Sequence, residues 1–415
     1  MVSNSIKGRL IGLSFVICHL LLSAVLASCI DYNDATTEIT ARVKLAMPAE
    51  FVNGTDLAGH IITMQQGTTV LTATTDEDGI ATFDGLIPDV YDISCSWELT
   101  ADQYHALTGD DQVVSGCTVS GSLNSHLIRE EQTIELGTNL SINRDIIIGK
   151  IYYAGSKDNN NRSYMPGKYI ELYNQSNKAV DVSGLYIGLV EAESTQAYTL
   201  ENLHEAFADT VVLVKQVFRI PADMPFMVEP GGTVLIVNSA TDHRNNNDME
   251  NDLSDADFEA KDATGKTQNN PNVPALELTY TMYPSVSNMN LVQSGPCSVV
   301  IFRTDDDIAT WALTYPYGKT SGNQWKLLPK RHIIDGVEVL RNKNTGIDVN
   351  SKRLYSDIDA GYTNIEAISG YTGEVVYRHT SDKRGDDGHK ILVDTNNSSN
   401  DFHVSKTVKP REYDE

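Results

Sequence analysis

The stretch Lys168-Tyr169-Ile170-Glu171-Leu172-Tyr173-Asn174-Gln175-Ser176-Asn177-Lys178-Ala179-Val180-Asp181-Val182-Ser183-Gly184-Leu185-Tyr186-Ile187 decides the fold. Tyr169, Glu171 and Tyr173 alternate with Ile170 and Leu172, the period of two that marks a β-strand. Asn174 to Lys178 carries side chains that bond their own backbone, so it reads as the turn into the next strand. Upstream, Ile146, Ile148 and Ile151 open an earlier strand that leads to Tyr152-Tyr153 and an Asn-rich turn at Asp158 to Asn161. Five tyrosines crowd this region, Tyr152, Tyr153, Tyr164, Tyr169 and Tyr173. They are candidates for a protein or glycan contact face, against the alternative that they fill strand faces.

Moving outward, residues 37–143 show shorter strands with the same rhythm. Ile39, Ala41, Val43 and Leu45 face one way, and Thr40, Arg42 and Lys44 the other. Asp76-Glu77-Asp78-Gly79 reads as a tight turn, because Gly79 tolerates the positive φ that hairpins demand. About 110 residues of this kind predict a small β-sandwich. The whole chain therefore reads as all-β, with β-sandwich domains over 37–143 and 145–408. Long inserts are expected in the second domain near 190–225, 240–275 and 341–369. A short helix is expected in the first insert, where Thr199 caps and Leu200, Leu203 and Phe207 share a face.

Two resemblances rest on these residues. Thr75-Asp76-Glu77-Asp78-Gly79, Ala81, Phe83, Gly85-Leu86 and Tyr91-Asp92-Ile93 resemble the prealbumin-like, carboxypeptidase-regulatory-like module, with Asp89 where that family commonly has Gly. Ile170 to Asn174, Val180 to Leu185, Glu229 to Ile236 and Asp394 to Phe402 resemble, in order, segments of the lamin-tail domain, an immunoglobulin-like sandwich. Leu185 stands in place of the usual Trp.

The N-terminus gives an address. Lys7 and Arg9 precede an apolar run from Leu10 to Ala27, as in a secretory signal over residues 1–28. Leu26-Ala27-Ser28-Cys29 resembles the bacterial lipobox, which implies lipidation of Cys29 and a tether over 29–36. Asp31 and Asp34 resemble the surface-export signal of Bacteroidota lipoproteins. Together these features resemble a Bacteroidota cell-envelope lipoprotein family of unknown function. The resemblance implies a protein lipid-anchored in the outer membrane, facing outward, often beside a TonB-dependent β-barrel transporter. A small molecule or glycan is the expected ligand class, and a surface adhesin binding host or matrix polymers is the alternative.

Composition limits the remaining choices. The 415 residues carry 32 Lys+Arg against 56 Asp+Glu, a net charge of −24, which argues against nucleic acid as a partner. No GxSxG, GxGxxG, CxxC or paired-histidine motif occurs, so the reading is non-enzymatic and without cofactor. A metal-dependent hydrolase is kept as the enzymatic alternative. Cys95 and Cys117, 22 residues apart, are candidates for a disulfide across neighbouring strands, with Cys297 left over. Asp252, Asp255 and Asp257 in an acidic insert are calcium candidates, against the reading of a hydrated surface loop. His379, His389 and His403 share the C-terminal stretch and could converge.

Overall fold

Strand Tyr169–Asn174 lies inside a six-stranded sheet. The strands run in the order Phe258–Glu259, Thr233–Val237, Tyr169–Asn174, Ile146–Tyr152, Val375–Arg378, Phe402–Ser405. A second, seven-stranded sheet carries Leu313–Thr314, Trp325–Pro329, Val211–Arg219, Tyr186–Val190, Val299–Phe302 and Ile333–Val337 in that order, with Glu277–Thr281 also paired to Val211–Arg219. The arrangement is that of a computed structural model describing residues 38–67, 69–109, 117–142, 144–191 and 197–414. The signal segment, Cys29, Asp31 and Asp34 lie outside the described residues.

The chain forms two compact units that interleave in sequence. The smaller holds the described residues up to Leu45 with Leu57–Ser94 and Leu123–Leu136; the larger holds Ala46–Asp56, Cys95–Ser122 and Gly137–Glu415. In the smaller unit, Ile80–Leu86 and Gln132–Gly137 flank Ile39–Ala46. Ala41, Val43 and Leu45 are buried while Arg42 and Lys44 are exposed, so the alternation in the sequence is the alternation of the strand. Gly79 sits at φ +74°, and the Asp76 carboxylate accepts from the backbone N–H of Asp78 and Ile80, closing the turn.

In the larger unit, Ile148, Ile170, Leu172, Val234 and Ile236 pack with Leu185, Ile187, Val299, Ile301 and Val337 in one core. Because side chains alternate along a strand, Tyr186, Val190, Val300 and Phe302 point to the other side of the seven-stranded sheet. There they meet Val212, Val214, Trp325, Leu354 and Ile358 in a second cluster. Helix Leu200–Phe207 closes part of this cluster with Leu203. Its N-terminus is capped by the Thr199 side chain accepting from the Asn202 N–H. Residues 190–225, expected as an insert, therefore also supply a central strand, Val211–Arg219. Among the described residues no helix is long and apolar enough to cross a membrane.

The tyrosine face is overturned. Tyr152, Tyr153, Tyr169 and Tyr173 are at most 3% exposed, and only Tyr164 is partly open. The six-stranded sheet is covered on both faces, so its tyrosines are core, with hydroxyls satisfied internally. Tyr152 donates to Glu250 at 2.9 Å and Tyr173 to the Lys390 carbonyl at 2.6 Å, while the Tyr153 hydroxyl accepts from the Ile365 N–H at 2.9 Å. Tyr164 bonds His243 Nδ1 at 2.7 Å. The acidic insert provides part of this cover: Leu253, Ala256, Phe258 and Ala260 join the core, and Glu250 is buried.

Candidate functional site

Arg144, between strands Asn139–Ile142 and Ile146–Tyr152, stands where buried charge meets the surface of the larger unit. Behind it, fully buried Arg378 donates to the carbonyls of Ile148 and Val393, to Asp401 at 3.0 Å, to Asp394 at 3.2 Å and to Asp335 at 3.3 Å. Arg144 adds contacts of 3.6 Å to Asp335, 3.5 Å to Asp394 and 3.2 Å to Asn396 Oδ1. Burial raises Asp335, against Arg378 and Arg144. Burial also opposes ionisation of Asp394, but the two guanidinium groups hold its carboxyl below the usual value. The closing segment Asp394 to Phe402 thus owes its character to a clamp. Asp401 also accepts from the Thr395 and Asn397 backbone N–H groups and turns the chain around Arg378.

Against this clamp opens a cleft of about 770 Å³. The Asn174 side chain fixes one wall, accepting from Ser176 and donating to the Lys178 and Val228 carbonyls. Gln175 ties that wall to the Arg144–Asp145 segment, its N–H donating to the Asp145 carbonyl and its Nε2 to the Arg144 carbonyl. Asn177 accepts from the Asp386 N–H at 2.8 Å. Half-buried Trp97 lies on the opposite side, its Nε1 donating to Asp56 at 3.1 Å. Lys178 pairs with Asp145 at 3.1 Å, and Lys383 pairs with Glu98. The lining cations Arg144, Lys178 and Lys383 are matched by Glu98, Asp145 and Asp394, so the cleft has no net sign. Such a surface has an indole edge, side-chain amides and balanced charge. It suits a neutral, hydroxyl-rich ligand better than an ion.

The sequence candidates fall elsewhere. Cys95, Cys117 and Cys297 are all buried free thiols. The Cys95 thiol bonds the Gly121 backbone, and burial pushes it up to about 12. Cys117 lies four residues before Gly121 on that neighbouring strand, about 13 Å from it at the rise of an extended chain, too far for a disulfide with Cys95. The expected pairing fails on register. The calcium candidates are committed to arginines: Arg244 holds Asp252 at 2.9 Å, and Arg411 holds Asp257 at 3.0 Å and Asp255 at 3.5 Å. Asp257 also accepts from the Leu235 N–H at 2.7 Å. Among the described residues no group of three or more His, Cys, Asp or Glu side chains is placed to hold a metal ion.

The His379 and His403 rings do meet, 3.8 Å between centroids, while His389 lies apart against Asp387 and the Gln175 carbonyl. Sequence reading missed Trp97, Gln175, Asn177 and Lys383 as one site, because they come from segments up to about 290 residues apart that only the sheets bring together.

Residues 229–409 match a family described as "Protein of unknown function (DUF4876)", and residues 140–292 match the Lamin Tail Domain. Among solved structures, a DUF4876 family protein from Bacteroides thetaiotaomicron is similar with a TM-score of 0.55 at 20% identity, covering 88% of this chain and 94% of that one. That likeness is one of fold. Fervidolysin from Fervidobacterium pennivorans aligns with a TM-score of 0.16 at 11% identity, covering 48% of this chain and 30% of that one. The major pilin subunit of Bacillus cereus also gives 0.16, at 13% identity, covering 79% and 99%. No curated protein matches the chain.

Proposed function

We propose that this chain is an outer-membrane lipoprotein that binds a neutral, hydroxyl-rich ligand without chemically changing it, in the cleft between Trp97 and the Asn174–Lys178 turn. The observation that carries the reading is the electrical balance of that cleft. Its carboxylates are engaged by Arg144, Arg378, Lys178 and Lys383, leaving an aromatic edge and amides to recognise a ligand. The lipobox at Leu26 to Cys29 supports anchoring, and Asp31 and Asp34 support an outward-facing position. The smaller unit, with its alternating strands and Asp76–Gly79 turn, fits a prealbumin-like spacer. A lipoprotein of this kind works beside a TonB-dependent barrel, passing it the captured ligand.

A neutral-oligosaccharide array, probed with the otherwise complete chain carrying Cys29→Ser, tests the binding. A hit weakened at least tenfold by Trp97→Ala and by Asn177→Ala supports the assignment. No hit, or hits indifferent to both changes, sinks it. Cross-linking of the lipidated chain in native outer membranes tests the partner. Recovery of a TonB-dependent barrel supports delivery to a transporter, and its consistent absence moves adhesion to matrix polymers to the front.

A further inference from the structure

On the other side of Arg144 and Asp145 lies a cleft of opposite character, about 600 Å³ in volume. Its floor is aliphatic: buried Ile146, Leu185 and Ile358 with partly open Val180, Ile333 and Ile334. Ile334 and Val180 pack on the main core and Ile333 on the second cluster, so the floor spans the line where the two hydrophobic clusters meet. The rim carries Arg144, Arg303, Lys330 and Arg331 against two acids, Asp145 and Asp357. In a chain of net charge −24 this is a local reversal of sign.

The rim cations differ in how they are neutralised. Arg144 is spent on Asp335 and Asp394, Lys330 pairs with Asp357 at 2.5 Å, and Arg331 reaches Asp306 at 3.2 Å. Arg303 is different. Its guanidinium donates to the main-chain carbonyls of Ser183, at 2.9 Å, and Asp181, and it makes no salt bridge among the described residues. Those carbonyls aim the group, and the Asp181 carboxylate acts on it without closing into a salt bridge. The cleft therefore offers a fixed cation, free of any direct ion pair among the described residues, at the edge of an aliphatic trough.

We propose that this cleft binds an amphipathic carboxylate of about ten to twelve carbons, its head on Arg303 and its chain along Ile333, Ile334 and Ile358. A cleft of this volume has room for a chain of that length, and the Arg303 guanidinium, with one N–H of each terminal nitrogen spent on a carbonyl, keeps three further N–H donors for a carboxylate. The second site is independent of the neutral-ligand cleft; the two share only the Arg144–Asp145 corner.

Titration calorimetry of the Cys29→Ser chain with decanoate, decanol and decylammonium, each below its micellar concentration, tests the assignment. Decanoate binds at least tenfold more tightly than decanol, and decylammonium more weakly than either. Octanoate binds roughly tenfold more weakly than decanoate, since two methylenes leave the trough. Arg303→Gln costs about tenfold for decanoate and leaves decanol unchanged. Arg331→Glu, at an exposed position, weakens decanoate several-fold. Trp97→Ala leaves decanoate binding intact. Equal affinity for the three head groups, no binding at millimolar decanoate, or indifference to both arginine changes overturns the proposal.

Discussion

Lys150 and Glu171 sit 2.7 Å apart on adjacent strands with neither side chain exposed. Burial pulls the Lys150 ammonium below its ordinary value, while Glu171 pulls it back. A buried pair of this kind contributes little beyond two apolar residues, but half of it is costly. Lys150→Met alone should destabilise the larger unit by about 3–5 kcal/mol, and adding Glu171→Gln should recover much of that loss in a denaturant titration. His403 gives a second test. Burial, and then the neighbouring His379, depress it to about 4 from 6.5, while Asp414 at 3.5 Å opposes them. Between about pH 6.5 and 4 the unfolded chain binds a proton that the folded chain refuses. Stability is therefore lost as pH falls through that window, by on the order of 2 kcal/mol. Unfolding midpoints measured from pH 7 to 4 should fall more steeply for the native chain than for His403→Gln.

At the scale of single elements, the segment around Tyr413 is the informative one. Its ring stacks edge-on to Tyr173, 5.0 Å between centroids, and covers the Lys150 ammonium at 3.7 Å. The Arg411 N–H donates to Glu171 at 2.5 Å, and the Arg411 side chain grips Asp255 and Asp257. The approach is so close that a Cβ on Gly149 would lie 1.9 Å from the Tyr413 hydroxyl oxygen. Tyr413→Ala should cost about 2–4 kcal/mol. Gly149→Ala should also destabilise, and the double variant should cost little more than Tyr413→Ala alone, because removing the Tyr413 ring clears the space that the new methyl enters. The strand Tyr169–Asn174 was legible from its alternation, and the Asn174 turn from its composition. Burial of both its faces was not, because the cover comes from residues around 250 and 411. The Cys95–Cys117 reading failed for a related reason: spacing along the chain says nothing of which residues meet, and the Cys95 thiol meets the Gly121 backbone.

Across the whole molecule, a net charge of −24 hides two adjoining clefts, one electrically balanced and one with a basic rim. Neither was visible in the sequence, since each is assembled from loops that only the paired strands of the larger unit bring together. Their different chemistry gives a measurement needing no substitutions. Binding of a neutral oligosaccharide should hardly change between about 50 and 300 mM salt, whereas decanoate affinity should fall several-fold as the field of the rim is screened. Tyr413 and Arg411 also place a condition on biogenesis. With the Lys150–Glu171 pair left open until residue 413 arrives, synthesis in order from the N-terminus yields a larger unit that cannot finish folding before residue 413 has been made. Strands made about 260 residues earlier thus wait for their cover, so the timing of the unit's closure is set by where those two residues lie.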